Sequence, residues 1–325
     1  MFERLLMPLD GSPRAELILR HVDRILRWED SEVLILRVVG PIPDSGIAEE
    51  DRSLMDETRH AAERYIQDLV KRFEERGAKA RGRVIVGSTA EGILEVAREE
   101  GSTMIAMTTH GRTGLSRWFM GSVAEKVVRA SSVPVLLVRS FRATPQGAVE
   151  PAAGEELQFR KLLVPTDGSS GSLAAVGPAE MFARLFNSEV LVLHVERPVL
   201  APGAILPGME AGSMPLPSEP PSSLHDEATR EAAERFRQAG LRVTRRTVLG
   251  DPAEEIIDHA SSGIDLIALA TRRRSGFSRW LTGSVTERVL RHAPVPLLIV
   301  PAEQTKTGRS QSDIARRRKK VARTR

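Results

Sequence analysis

Gly111-Arg-Thr-Gly-Leu-Ser-Arg-Trp-Phe-Met-Gly-Ser-Val-Ala-Glu125 stands between two apolar strand candidates, residues 103–108 and 133–138. It therefore reads as the loop and helix start of a strand, loop, helix, strand unit. Glycine at 111 and 114 admits positive φ and lets a ligand come close to the backbone N–H groups, while Gly121-Ser122 opens a helix whose positive dipole end faces the loop. Such a loop suits a phosphate. A plainer reading is available: Ser122 and Glu125 fit an S-x-x-E capping box that only starts the helix. If that box forms, Glu125 occupies a donor and brings negative charge near the loop, so the loop N–H groups and Arg112 or Arg117 must outweigh it.

The stretch occurs twice. Residues 274–300 align without gaps on residues 112–138, and 15 of the 27 aligned positions are identical. The two halves also begin alike, with Leu5-Leu-Met-Pro-Leu-Asp-Gly-Ser12 against Leu162-Leu-Val-Pro-Thr-Asp-Gly-Ser169. A period this long is a duplicated domain, not a solenoid repeat of about 20–50 residues.

On these residues the chain resembles the universal stress protein family in its tandem form. Each half carries Pro-x-Asp-Gly-Ser after its first strand and a version of the family's nucleotide loop, G-x-x-G, nine residues, then G-[ST]. In the first half Thr108 stands where the leading glycine belongs; in the second, Ala270 and Arg273 replace both leading glycines. The resemblance implies an α/β fold of two tandem doubly wound domains, each an open five-stranded parallel sheet with helices on both faces, adenine-nucleotide α-hydrolase-like. Domain 1 would span residues 1–140 and domain 2 residues 159–301, with a linker at 141–158 and a basic tail at 302–325. It further implies ATP as the ligand, with Mg2+ bound through the phosphates. By resemblance Asp10 binds the nucleoside portion, the backbone at Val38 the adenine edge, and the loop with Gly111, Arg112, Gly114, Gly121 and Ser122 the phosphates. Pro8, Leu9, Met107, Thr108 and Val123 complete that set, and Asp167, Val195, Gly276, Gly283 and Ser284 are the second-half candidates.

Composition agrees with two ordinary soluble domains. The chain has 325 residues, 41% of them apolar, and no cysteine, so disulfides and thiolate metal sites are excluded. No apolar run reaches the length of about 18 residues that a membrane span needs. Residues 2–9 are strand-like, without a basic segment followed by an apolar one, so no signal peptide is expected and the reading places the protein in the cytoplasm. The pI near 9.7 comes from the tail. Residues 302–325 hold nine Lys/Arg against Glu303 and Asp313, a net of +7, which leaves the first 301 residues at −3 against the chain total of +4. The tail has no aromatic residue and no apolar periodicity. It reads as a solvated, disordered end, with contact to nucleic acid or an anionic surface as the other reading.

Along each half, short apolar runs alternate with amphipathic helical stretches, the pattern of a parallel sheet covered on both faces. In the first half, strands are expected at 5–9, 33–39, 83–86, 103–108 and 133–138; in the second, at 162–166, 190–195, 243–248, 264–270 and 295–300. One continuous helix is expected after the second Asp-Gly-Ser turn, ending near Leu185. Residues 141–158, with two prolines and two glycines, read as the inter-domain linker. Residues 197–223, with seven prolines and three glycines, read as a mobile lid or a disordered excursion. Residues 133–138 and 295–300 are apolar on both faces and leave open sheet edges unless paired. The two domains are therefore expected to pair through these last strands, as family members commonly do in dimers, with a homodimer of the whole chain as a further possibility.

Other chemistries lack their parts. The sequence contains no G-x-G-x-x-G fingerprint, no P-loop and no H-x-x-x-H pair, and spacing identifies no nucleophile with its base. His110 reads as a loop donor; Trp118 and Trp280 read as packing residues, with stacking on a base as the alternative. Three functions stay open at this point: an ATP-binding stress-response module, a slow ATPase, and an interaction scaffold whose nucleotide sites have decayed.

Overall fold

The computed structural model describes residues 2–26, 31–40, 49–109, 120–139, 141–143, 149–151, 159–197, 223–272 and 284–302. The proline-rich stretch at 198–222 and the basic tail from 303 onward lie outside the described residues. The first half runs β1 (Arg4–Pro8), a 3-10 turn (Ala15–Ile18), α1 (Leu19–Leu26), β2 (Glu32–Val39), α2 (Glu49–Glu74), β3 (Lys79–Val86), α3 (Thr89–Glu99), β4 (Met104–Thr108), α4 (Ser122–Ala130) and β5 (Val135–Val138). Two short strands follow, β6 (Phe141–Ala143) and β7 (Val149–Pro151). The second half runs β8 (Lys161–Pro165), α5 (Ser170–Leu173), α6 (Val176–Phe186), β9 (Glu189–Glu196), α7 (Ser223–Gln238), β10 (Val243–Leu249), α8 (Pro252–Ser261), β11 (Leu266–Arg272), α9 (Ser284–His292) and β12 (Leu297–Ala302). Among the described residues no helix is long and apolar enough to cross a membrane.

Each half is a five-stranded parallel sheet with the doubly wound order, β3-β2-β1-β4-β5 and β10-β9-β8-β11-β12. The sheets are not open at their inner edges. β5 and β12 pair antiparallel, Val135 with Ile299, Leu136 with Leu298 and Leu137 with Leu297, which fuses the halves into one ten-stranded sheet. The apolar character of both strands on both faces requires this: each is buried between helix layers and needs a partner on either side.

Two connections carry structure that the sequence reading did not assign. Within residues 141–151, β6 and β7 pair antiparallel, Phe141 with Pro151 and Ala143 with Val149. The helix after the second Asp-Gly-Ser turn is broken into α5 and α6. Pro178, just inside α6, has no N–H to give the carbonyl of Ala174, so the hydrogen-bond ladder cannot run through.

The apolar core is divided by sheet face and runs through both halves. One layer joins Met7, Val22 and Phe73 to Phe159, Phe182 and Phe236; the other joins Leu36, Ile93 and Val127 to Leu193, Ile256 and Val289. On the first face the halves meet through aromatic rings: Phe2 lies edge-on to Phe182 at 6.0 Å, and within the second half Phe159 supports that contact, packing on Phe182 at 5.0 Å and Phe186 at 4.9 Å. Phe159 also meets His21 of α1 at 6.2 Å. On the second face α4 and α9 face each other across a cavity of about 30 Å3, lined by Glu125, Val128 and Arg129 and by their counterparts Glu287, Leu290 and Arg291. Beside it Arg139, just past β5, donates from Nη2 to the Arg291 carbonyl at 2.9 Å and the Leu290 carbonyl at 3.3 Å. Burial lowers its pKa to about 10, which leaves it charged at neutral pH. A cation gripping the last carbonyls of α9 meets the negative end of that helix dipole. The matching residue of the second half is Pro301, so this clamp exists once.

Two outcomes follow from the seam. Arg139→Ala should lower stability by about 1.5–3 kcal/mol, the range for a charged donor bonded to backbone carbonyls, and urea unfolding measures it. His21 gives a pH signature. Burial, and secondly Arg20, lower its pKa from 6.5 to about 4, so the unfolded chain takes up this proton first as pH falls. Its contribution is therefore complete above pH 6.5 and is lost as pH falls toward 4. Between pH 7 and pH 5 the loss amounts to about 2 kcal/mol, and the unfolding free energy of His21→Leu should fall by that much less over the same interval.

Candidate functional site

The site is built where the first strand of each half ends. Leu9 is held by its N–H on the Leu36 carbonyl at 2.8 Å, and Asp10-Gly-Ser12 then turns the chain. Gly11 takes φ +72°, which brings the Ser12 N–H and Oγ onto Asp10 Oδ1 at 3.0 and 2.6 Å. Ser12 Oγ in turn accepts the Ala15 N–H at 3.1 Å and starts the following helical turn. The second half repeats this atom for atom. Gly168 has φ +74°, Ser169 donates its N–H and Oγ to Asp167 Oδ1 at 3.0 and 2.5 Å, and Ser169 Oγ accepts from Ser172 N–H at 3.2 Å. One carboxylate oxygen of each aspartate thus fixes a turn, as expected of Asp beside a positive-φ glycine.

A side chain of the second strand braces each turn from behind. Arg37 Nη1 donates to the Leu9 carbonyl at 3.4 Å, and His194, at the equivalent place on β9, bonds through Nδ1 to the Thr166 carbonyl at 2.8 Å. A carbonyl only accepts, so the His194 proton sits on Nδ1. Beside Arg37, Tyr65 donates its hydroxyl to Glu16 Oε1 at 2.9 Å, and burial together with this bond raises the phenol pKa above its ordinary value. The sequence reading missed Arg37 and His194. The available signal was a polar residue within an otherwise apolar strand, Glu32-Val-Leu-Ile-Leu-Arg-Val-Val39.

Thr108 ends β4, Thr109 follows it, and both are buried. The Thr109 N–H reaches the Val138 carbonyl at 2.9 Å, and the Gly121 N–H returns to the Thr109 carbonyl at 2.8 Å, so the chain leaves and re-enters the sheet end at one point. The loop between them, with Gly111, Arg112, Gly114, His110 and Trp118, lies outside the described residues, as do Gly276, Trp280 and Gly283. Ser284 opens α9.

At α4 the capping-box reading is corrected. Gly121 itself is the N-cap, with φ −58° and ψ 147°, and no side chain caps the helix. Ser122 is already helical and exposed, and the Glu125 carboxylate turns along the helix to pair with Arg129. The first turn of α4 therefore presents its N–H groups without a side-chain cap, at the positive end of the helix dipole.

An apolar shelf completes the arrangement on the same face of the sheet. Val38, Ile85, Met120 and Val123 are half-buried and pack on the layer that holds buried Met107. Gly92 of α3 makes room for it: a Cβ there would lie 2.8 Å from Ile85 Cδ1 and 3.5 Å from the Val38 methyls. Val195, Val248 and Val285 repeat the shelf in the second half. Pro8, Leu9, Asp10, Val38, Met107, Thr108, Gly121, Ser122 and Val123 all fall at the carboxyl ends of β1, β2 and β4 or at the start of α4. In open α/β sheets that end is where ligands bind.

A doubly wound α/β domain with an Asp-Gly-Ser turn and an uncapped helix start, present twice, defines the class. The profile of the Universal stress protein family matches residues 1–139 and again 158–301, and the chain belongs to that family. Universal stress protein MJ0577 of Methanocaldococcus jannaschii is 28% identical over 155 residues, which cover 43% of this chain and 96% of that protein. A universal stress protein of Mycolicibacterium smegmatis is 23% identical over 310 residues, covering 91% of this chain and 96% of its own. The fold is that of the universal stress protein structure from Archaeoglobus fulgidus, TM-score 0.69 at 21% identity, over 93% of this chain and 99% of that one.

The turn geometry predicts that Gly11→Ala costs about 1–2 kcal/mol, because a Cβ is penalised at φ +72°. Gly40, where a Cβ would meet nothing within 4 Å and φ is unexceptional, should accept Ala within about 0.5 kcal/mol. Paired thermal unfolding curves check both.

Proposed function

We propose that the first half binds an adenine nucleotide, ATP, and that the protein is a cytoplasmic stress-response regulatory module and not a catalyst. The observation that carries this reading is the start of α4. Its N–H groups have no side-chain cap, Glu125 is turned away toward Arg129, and the preceding loop springs from the same point, so an anion approaching there meets donors and a positive dipole. Asp10 stands at the neighbouring strand end, where its carboxylate suits a ribose hydroxyl, and the half-buried shelf around Val38 and Ile85 suits the face of a base. Among the described residues no group of three or more His, Asp or Glu gathers, so Mg2+ would arrive on the phosphates. Spacing in the sequence identifies no nucleophile with its base, which favours binding over turnover.

The two halves should differ. At the position that the family's loop fills with glycine, the first half has Gly111 and the second Arg273. A side chain there penalises the left-handed backbone by roughly 1–2 kcal/mol, about tenfold in affinity. Arg272, Arg273 and Arg274 oppose this with charge, but exposed cationic contacts fade with salt and grip anions of any shape. Calorimetric titration of ATP at two salt concentrations tests the reading. Gly111→Arg should weaken binding about tenfold, while Arg273→Gly should leave the strong site unchanged and add a weaker one. Absence of ATP binding by the wild-type protein overturns the proposal, and phosphate release at a steady rate would restore the ATPase alternative.

A further inference from the structure

A cleft of about 370 Å3 lies between α1 and the last turns of α2, on the helix-covered flank of the first half. Its wall is apolar, with buried Leu69 and Phe73 from α2 and half-buried Leu19 from α1. Three guanidinium groups line it: Arg20, Arg72 and Arg76. Both carboxylates of the cleft are engaged. Asp23 pairs with Arg76 at 2.5 Å, and Glu16 accepts the Tyr65 hydroxyl at 2.9 Å. Among the described residues, neither Arg20 nor Arg72 forms an ion pair with a carboxylate. The cleft thus combines apolar side chains with three guanidinium groups against two carboxylates, a net charge of +1, since Glu16 keeps its charge while accepting the Tyr65 hydroxyl.

The second half serves as an internal comparison. Aligning the sequence at Asp10 with Asp167 and at Gly77 with Gly240, whose φ values are +81° and +79°, matches Gly177 to Arg20, Ala232 to Leu69 and Ala239 to Arg76. Phe236 and Arg235 keep the places of Phe73 and Arg72. The framework and one cation, Arg235, are therefore retained, while the cations at Arg20 and Arg76 and the Leu69 side chain belong to the first half alone. Simple packing of two helices does not ask for this difference, because the second half packs α6 and α7 without it.

We propose that this cleft binds a small anionic amphiphile, a carboxylate or phosphate monoester on an apolar body, and that only the first half does so. Planar guanidinium groups match the two oxygens of a carboxylate or phosphate, and an apolar body packs on half-buried Leu17 and Leu19, with Leu69 and Phe73 beneath them. The volume falls in the range of small-molecule sites, about 300–1,000 Å3. This proposal is independent of nucleotide binding: the last turns of α2 lead into the amino end of β3, whereas the nucleotide site lies at the carboxyl ends of the strands.

Decanoate is the probe, titrated below its micelle concentration into the full-length protein by calorimetry, with decanol as the uncharged comparison and phosphatidylglycerol vesicles as the membrane comparison. One decanoate should bind per chain, more weakly at high salt, and decanol should bind at least about tenfold more weakly. The double variant Arg20→Ala/Arg72→Ala should lose about tenfold or more in decanoate affinity with an unchanged thermal midpoint, and Arg235→Ala in the second half should lose nothing. No decanoate binding, two equivalent sites, equal affinity in the double variant, equal binding of decanol, or binding to vesicles without binding to monomeric decanoate would each overturn the proposal. ATP titration of the same double variant should match wild type, which separates failure here from failure of the nucleotide reading.

Discussion

The pairing of β5 with β12 is the constraint on which the rest of the structure depends. Two strands that are apolar on both faces cannot end a sheet in water, and the antiparallel register Leu136 to Leu298 removes both exposed edges at once. Because every strand of each half runs parallel to its own last strand, antiparallel pairing at the centre points the halves in opposite directions. The Asp10 turn and the Asp167 turn consequently open at opposite ends of one sheet. A single ligand cannot bridge them, and any communication between them must pass through the packed layers.

Those layers are suited to carry it. The helices on each face belong to both halves, with aromatic rings meeting on one side and α4 facing α9 on the other. Aromatic pairs of this geometry contribute about 0.5–1.5 kcal/mol beyond their buried area, so Phe2 on Phe182 and His21 on Phe159 make the seam a core and not a surface junction. Met120, which leads into the first turn of α4, lines the same cavity as Glu287 and Arg291 of α9. The donors at one candidate site are thereby positioned in part by the other half of the chain.

Much of this was legible in the sequence. The strands could be read because burial on both faces leaves continuous apolar runs, and the two Asp-Gly-Ser turns could be read because positive φ beside an aspartate has few other uses. The central pairing followed from the apolar last strands. What failed was local competition. S-x-x-E at 122–125 matched a capping box, but Gly121 took the cap position one residue earlier and Arg129 drew Glu125 along the helix. Pro178 broke a helix that apolar spacing alone ran through, and three-residue strands at 141–143 and 149–151 are too short for period-two alternation to register. Arg37 and His194 escaped notice because their work is done by contact with a carbonyl distant in sequence, which no spacing rule encodes.

The β6–β7 connection has a consequence of another kind. Two separate subunits meeting through such strands would hold together only above a concentration set by their dissociation constant. A covalent tether replaces that bimolecular step with an intramolecular one, at an effective concentration fixed by tether length. The halves are joined by residues 139–160, so their seam forms equally well in a cell that makes few copies or many. Tethering also relaxes symmetry. A homodimer carries every residue twice, whereas here Arg139 can clamp α9 while Pro301 occupies the matching place, and each half is free to acquire contacts that would clash if repeated.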